Sequence, residues 1–87
     1  NRKYADIILS RILSLCELRG ITINKLADMS GIRQSTLHNL VVEPVNPTMR
    51  TMHKIAIAFN MTLAEFLDFP DLNNYSFDDD EEERCKE

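Results

Sequence analysis

The sequence predicts one all-α domain of five helices, followed by an acidic tail. Apolar residues recur at helical spacing through most of the first 69 residues, and no stretch alternates convincingly as a strand does. The chain has only two Gly and three Pro among 87 residues, which disfavours a turn-rich β fold. We therefore expect one helical domain over residues 1–69 and a tail, disordered or loosely docked, over residues 70–87.

The helix boundaries follow from residues that begin or end helices. Gly20 and Gly31 can end the first and second helices, because glycine adopts positive φ values at low cost. Two prolines interrupt the chain after the third helix, and Thr62 with Glu65 forms a capping box at the start of the fifth. The helices are therefore expected over about residues 4–18, 23–29, 33–41, 48–59 and 63–68.

Charge is divided unevenly along a chain whose net charge is −4. Residues 1–67 carry eight Lys or Arg and five Asp or Glu, a balance of +3. Residues 68–87 carry two basic and nine acidic residues, and six consecutive acids occupy residues 78–83. The acidic character of the whole chain therefore says little about the partner of the helical part.

Several functional classes find no support in the sequence. No apolar run approaches the roughly 20 residues that cross a bilayer, and no signal peptide is visible, so a cytoplasmic protein is expected. Cys16 and Cys85 are expected to be free thiols. His38 and His53 lack partners at metal-ligand spacing, and Ser35 beside His38 lacks an acid to orient the histidine. We expect no metal, no cofactor, no small-molecule substrate and no enzymatic activity.

The most informative stretch, residues 23–42, has the spacing of two helices joined by a tight turn. Ala27 is small enough for a close helix crossing, Gly31 can make the turn, and Leu37 and Leu40 can face the core. Gln and Asn pair well with adenine, and Arg with guanine, so the outer face of the third helix suits a DNA major groove. That face carries polar side chains and no acid: Arg33, Gln34, Ser35, His38 and Asn39.

A second segment, residues 46–56, reads Asn-Pro-Thr followed by Lys-Ile-Ala after a short gap. Together the two segments resemble the lambda-repressor-like family of helix-turn-helix domains, which includes Cro, over about residues 8–69. The resemblance implies double-stranded DNA as the partner, with bases read by Gln34, Ser35 and Asn39 and the groove edge met by Arg33 and His38. The further DNA-binding residues, most of them at the phosphate backbone, are Thr22, Asn24, Lys25, Thr36, Asn46 and Thr48.

The sequence departs from the family pattern at two positions. Ile23 stands where the family often has a glutamine that binds a phosphate, which puts that contact in doubt. Arg33 stands where a serine or threonine often caps the third helix, so capping is expected to be weaker while a cation gains reach to DNA.

The predicted function is that of a transcriptional regulator, expected to repress by occluding a promoter. The alternative is a protein-interaction module, such as an antitoxin-type partner, built on the same fold. The wide apolar face of the first helix, with Leu9 and Leu13, is either covered by the returning C-terminal segment or forms a homodimer interface. The acidic tail is either solubilising only or competes with DNA for Lys25, Arg33 and Arg50.

Overall fold

The computed structural model describes residues 4–77, and this part of the chain is all-α, without a strand. The all-α prediction is confirmed, and the five predicted helices correspond to the first five observed. In chain order the helices are α1 (Tyr4–Arg19), α2 (Ile23–Ser30), α3 (Gln34–Val42), α4 (Met49–Ala58), α5 (Leu63–Leu67) and α6 (Pro70–Asn73).

The helix ends have the chemistry that the sequence predicts. Gly20 and Gly31 adopt left-handed conformations with φ of 66° and 74°, and Asn60 does the same after α4 with φ of 61°. At the start of α5, the Glu65 N–H donates to the Thr62 hydroxyl at 3.0 Å. The Thr62 N–H donates to the Glu65 carboxylate at 2.8 Å, which completes the capping box.

One apolar core holds the first five helices together. Phe59 and Phe66 are its largest fully buried side chains, and Leu26 and Ile55 are also 0% exposed. α2 packs against α1, α3 and α4, and α5 packs against α4. Burial of these side chains is the main force that fixes the angle between α2 and α3.

A sixth helix, the four-residue α6, follows the five predicted helices. Pro70 follows the end of α5, as expected, but it also begins a new helix, since a proline is tolerated in the first turn where its missing N–H has no partner. Phe69 is buried just before it, and Leu72 packs against the core. Residues 70–73 therefore pack with the helical body, whereas residues 78–87 lie outside the described part of the chain.

The C-terminal segment, as far as residue 77, folds back onto α1. α6 packs against α1, and the rings of Tyr75 and Phe77 contact the ring of Tyr4. The segment does not cover the whole apolar face, because Leu13 is still 39% exposed.

Candidate nucleic-acid interface

The interface begins at the N-terminus of α2. The Lys25 N–H donates to the Thr22 hydroxyl oxygen at 3.0 Å, so Thr22 caps the helix as predicted. Leu26 and Ala27 turn inward and are 0% and 1% exposed, which leaves the Asn24 and Lys25 side chains on the surface. Local capping and burial together therefore point the start of α2 outward.

The turn between α2 and α3 depends on one glycine. The Gly31 N–H donates to the Ala27 carbonyl at 3.0 Å, and this bond closes the end of α2. The positive φ of Gly31 would be strained for a residue with a Cβ, although a Cβ there would meet no atom within 4 Å. The turn thus needs glycine for its backbone conformation and not for space.

α3 has one buried face and one exposed face. Leu37 and Leu40 are 1% and 8% exposed and hold the helix against the core. Six exposed side chains at its N-cap and along its outer face are polar or cationic and none is acidic: Arg33, Gln34, Ser35, Thr36, His38 and Asn39. Val42, in the last turn, is exposed and apolar. The structure therefore brings all the predicted groove-facing residues onto one accessible surface.

The N-terminus of α3 lacks a side-chain cap. Arg33 occupies the N-cap position with extended backbone angles, and its side chain makes no capping hydrogen bond. The first N–H groups of the helix that have an acceptor within the chain belong to Thr36 and Leu37, and both donate to the Arg33 carbonyl. The N–H groups of Gln34 and Ser35 are left to donate to water or to an anion such as a phosphate.

A shallow open groove joins the end of α3 to the loop before α4. Thr36 and Asn39 line it from α3, and Asn46 and Thr48 line it from the loop. Glu43 lines the same groove, as do the exposed side chains of Val42 and Val45. This edge of the surface is therefore neutral or acidic, in contrast to the start of α3.

Two of the three threonines predicted to meet the DNA backbone, Thr22 and Thr48, differ in their free hydrogen-bonding capacity. Thr22 uses its oxygen as a cap, and its hydroxyl hydrogen can still donate to a ligand. The Thr48 hydroxyl accepts from the Thr51 N–H and donates to the Thr51 hydroxyl, both at 3.1 Å. The side chain of Thr48 is thus committed to capping α4.

Two arginines counted in the positive charge of the helical part have structural roles that sequence reasoning missed. Arg11 donates from Nε to the Phe66 carbonyl and from Nη2 to the Glu65 carbonyl, each at 2.9 Å, and its guanidinium lies 5.0 Å from the Phe69 ring centroid. Arg19 donates from Nη2 to the Phe59 carbonyl at 2.7 Å. No local sequence signal shows these bonds, because the partners lie 40 to 55 residues away.

The described residues offer few other features that could bind a metal, react or enter a membrane. Among residues 4–77, no three His, Cys, Asp or Glu side chains come together as a metal site, and both histidines are exposed. Cys16 is a free, buried thiol, and burial raises its pKa. Within the same residues, no helix has both the length and the apolar character needed to cross a membrane.

Comparison with known proteins agrees with this geometry. The model of the Cro/C1-type HTH DNA-binding domain matches residues 11–71, which include all of α2, α3 and α4. The chain belongs to this family. Its fold is also similar to that of a solved structure described as "Crystal structure of the prophage Lp1 protein 11". That match has a TM-score of 0.76 and 24% identity, and covers 86% of this chain and 100% of the other. No curated protein matches the chain significantly.

Membership in the Cro/C1-type family confirms the predicted resemblance. The structure explains the first departure from the family pattern, which is Ile23. Ile23 is half-buried and packs against the apolar core, so it reinforces the start of α2 and does not provide a polar contact. The second departure is Arg33 at the N-cap of α3. Its side chain makes no capping hydrogen bond, as predicted for an arginine at this position.

Proposed function

We propose that this chain is a transcriptional regulator that binds operator DNA sequence-specifically and represses transcription by occluding a promoter. The observation that carries the proposal is the N-terminal part of the outer face of α3, where the six exposed side chains from Arg33 to Asn39 are all polar or cationic. A helix of nine residues is about 14 Å long, and the major groove, about 12 Å wide, admits such a helix.

Base reading is assigned to the side chains nearest the N-terminus of α3 and to Asn39 one turn further on. Gln34 and Asn39 each offer an amide that pairs bidentately with adenine, while Arg33 suits guanine. Ser35 lies beside Gln34, and His38 lies at the edge of the same face. Burial of Leu37 and Leu40 on the opposite face holds these side chains in a fixed orientation.

Backbone contacts are assigned to groups with a free donor. The uncapped N–H groups at the start of α3 and the hydroxyl hydrogen of Thr22 can each bind a phosphate oxygen. Asn24, Lys25 and Thr36 add exposed polar or cationic side chains, and Asn46 serves the opposite strand. Thr48 contributes through its backbone, because its hydroxyl is already bonded to Thr51.

Few cationic side chains are available to bind DNA phosphates, so we expect the electrostatic part of the binding free energy to be modest. Of the six cationic Lys and Arg side chains in residues 4–77, Arg11 and Arg19 are held by carbonyls. The other four are Lys25, Arg33, Arg50 and Lys54. If all four meet phosphates, the plot of log affinity against log salt has a slope of about −3.6 per protomer.

A regulator of this kind gains specificity by binding as a pair. Two copies on half-sites about one DNA turn apart place both recognition helices on one side of the duplex. We propose such a homodimer on DNA, acting in the cytoplasm of a prokaryotic or phage-infected cell. The proposed mechanism requires neither a cofactor nor a catalytic residue.

A protein-interaction module is the second candidate, and the loop after α3 is what favours it. Val42 and Val45 are 70% and 58% exposed there, and Glu43 adds a negative charge beside them. Such a surface fits a protein better than a phosphate backbone. The two functions differ in whether the polar face of α3 is needed for binding.

Selection of bound duplexes from a random pool, followed by affinity measurement on variants, tests the proposal. Gln34→Ala and Asn39→Ala should each weaken binding to the selected site by about 1–3 kcal/mol and relax specificity at one base pair. Asn74→Ala, an exposed asparagine at the end of α6, is the matched control and should leave affinity unchanged. Enrichment of no sequence, or equal affinity for all variants, would contradict the proposal and favour the protein-interaction function.

A further inference from the structure

His38 lies on the outer face of α3, among the side chains proposed to meet DNA. It is exposed, and burial of Leu37 and Leu40 fixes the direction in which this face points. At about 100° of rotation per residue, His38 lies about 50° from the line that points directly away from those two leucines. A helix with its side chains is about 10–12 Å across and the major groove is about 12 Å wide. A side chain at this angle therefore approaches the wall of the groove, which carries phosphates.

No charged neighbour on α3 fixes the charge of the His38 ring. Arg33 and Glu43, the charged residues at the two ends of the helix, are each five residues away. Residues three and four positions away are the nearest neighbours on a helix surface. At His38 all four of them are uncharged: Gln34, Ser35, Val41 and Val42.

The neighbouring helices do not pair with His38 either. α2 packs against α3, and Thr51 of α4 lines the groove at the end of α3. The titratable or charged side chains of these two helices are Lys25, Asp28, Arg50, His53 and Lys54. Within residues 4–77, no hydrogen bond or ion pair joins His38 to any of them. α1 approaches α3 at Leu40, about 160° around the helix from His38. The charge of the ring is therefore set by the solution pH and by the ligand.

His53 is a second exposed histidine in a different place. It follows Thr51 by two residues, which turns its side chain about 160° around α4 from the side that lines the groove. His53 therefore lies on the side of α4 that faces away from α3. The two histidines have the same chemistry, but only His38 belongs to the proposed DNA-binding surface.

We propose that His38 binds a DNA phosphate as the imidazolium cation, so that the DNA affinity of this chain rises as the pH falls from about 8 to about 6. This inference rests on the proposed DNA-binding function. Histidine ordinarily changes its charge between about pH 5 and 8, and a nearby phosphate favours the charged form. Formation of the complex therefore takes up a proton from solution, and a lower pH favours the complex.

One additional charge matters because few others are available. Four Lys and Arg side chains of the described residues are not held by carbonyls, so a fifth cation is a large addition to the phosphate contacts. Full protonation of His38 in the complex changes the slope of log affinity against log salt from about −3.6 to about −4.5 per protomer.

The first test compares variants of the 87-residue chain on a duplex selected by the wild-type protein. Affinity is measured at about pH 8 and about pH 6, above the range in which ordinary carboxyl groups titrate. Wild type should bind about five- to tenfold more tightly per protomer at the lower pH. His38→Gln, whose amide does not take up a proton, should bind equally at both pH values.

His53→Gln is the matched control and should keep the full pH dependence of wild type. A wild-type affinity that does not change with pH would overturn the inference. The same holds if the pH dependence survives in His38→Gln or disappears in His53→Gln, since the titrating group would then lie elsewhere.

Salt dependence distinguishes a phosphate from a base as the partner of His38. If the imidazolium meets a phosphate, the slope of log affinity against log salt should be about 0.9 steeper at about pH 6 than at about pH 8. In His38→Gln the two slopes should be equal. A wild-type slope that is the same at both pH values would contradict the phosphate contact.

Calorimetry in two buffers of different ionisation enthalpy counts the protons taken up on binding, independently of the affinity. At about pH 7, wild type and His53→Gln should each take up about half a proton per protomer more than His38→Gln. Equal proton uptake by all three proteins would overturn the inference. If no duplex is bound specifically at either pH, the proposed function itself fails. Specific binding that is independent of pH contradicts only the role of His38.

Discussion

The two arginines of α1 and the arginine before α3 lie beside helix ends of opposite kind. Arg11 and Arg19 bind the C-terminal ends of other helices, whereas Arg33 lies at the N-terminal end of α3. Arg11 donates two hydrogen bonds to carbonyls near the C-terminus of α5, and Arg19 donates one to the carbonyl that follows α4. Arg33 instead lies at the N-terminus of α3 and caps nothing. The arginines of α1 therefore bind helix ends that favour a cation, while Arg33 lies at a helix end that disfavours one.

The physical difference is the sign of the helix dipole. Carbonyls without partners at a helix C-terminus attract a cation, whereas the unpaired N–H groups at an N-terminus repel it. Arg33 thus gives up local stability, and a phosphate bound at the same place would relieve the repulsion. A residue that breaks a local rule without compensation within the domain marks the surface where a ligand is expected.

The largest expected effect is on the scaffold side of this comparison. Arg11→Met keeps the apolar stem but removes the Arg11 donor from the Phe66 carbonyl and leaves the Glu65 carbonyl with only the Asp68 N–H, so it should lower the free energy of unfolding by about 2 kcal/mol. Denaturant unfolding followed by circular dichroism measures this change. Arg50→Met, at an exposed arginine of α4, is the control and should change stability by less than about 0.5 kcal/mol. Equal free energies of unfolding for the two variants would contradict the structural role assigned to Arg11.

A smaller effect is expected at two matched helix caps. Thr22→Ala and Thr62→Ala each remove a hydroxyl that accepts one backbone N–H, and each should cost about 1 kcal/mol of stability. Thr22→Ala alone should also weaken DNA binding, because only Thr22 lies in the proposed interface. Parallel unfolding and DNA titrations make the comparison, and a similar loss of affinity in both variants would show that the effect comes from stability alone.

The smallest change in stability, and the only gain, is expected at Arg33. Arg33→Ser supplies the missing cap and removes the unfavourable cation, so it should stabilise the domain by about 0.5 kcal/mol or more. The same variant should bind the selected duplex about tenfold or more weakly, since one good base contact is lost. Thermal unfolding and DNA titration measure the two effects. A variant that is less stable, or that binds as well as wild type, would contradict the trade-off.

Local chemistry explains how much of the fold was visible in the sequence. The capping box at Thr62, the positive φ of Gly31 and the cap at Thr22 each depend on residues within four positions of one another. Helical spacing predicted that Leu37 and Leu40 are buried, and the exposure of Gln34 and Asn39 followed from that burial. The order of five helices and the polar face of α3 could therefore be predicted before any coordinates were known.

The sequence by itself determined approximately where the first five helices begin and end and which side chains line the outer face of α3, because hydrogen bonds within a turn and the 3.6-residue period act over short distances. Only the tertiary structure decided that α6 packs on α1, that Tyr75 and Phe77 meet Tyr4, and that Arg11 and Arg19 are bound to distant carbonyls. These contacts join residues 40 or more positions apart, and their existence depends on how the whole core packs.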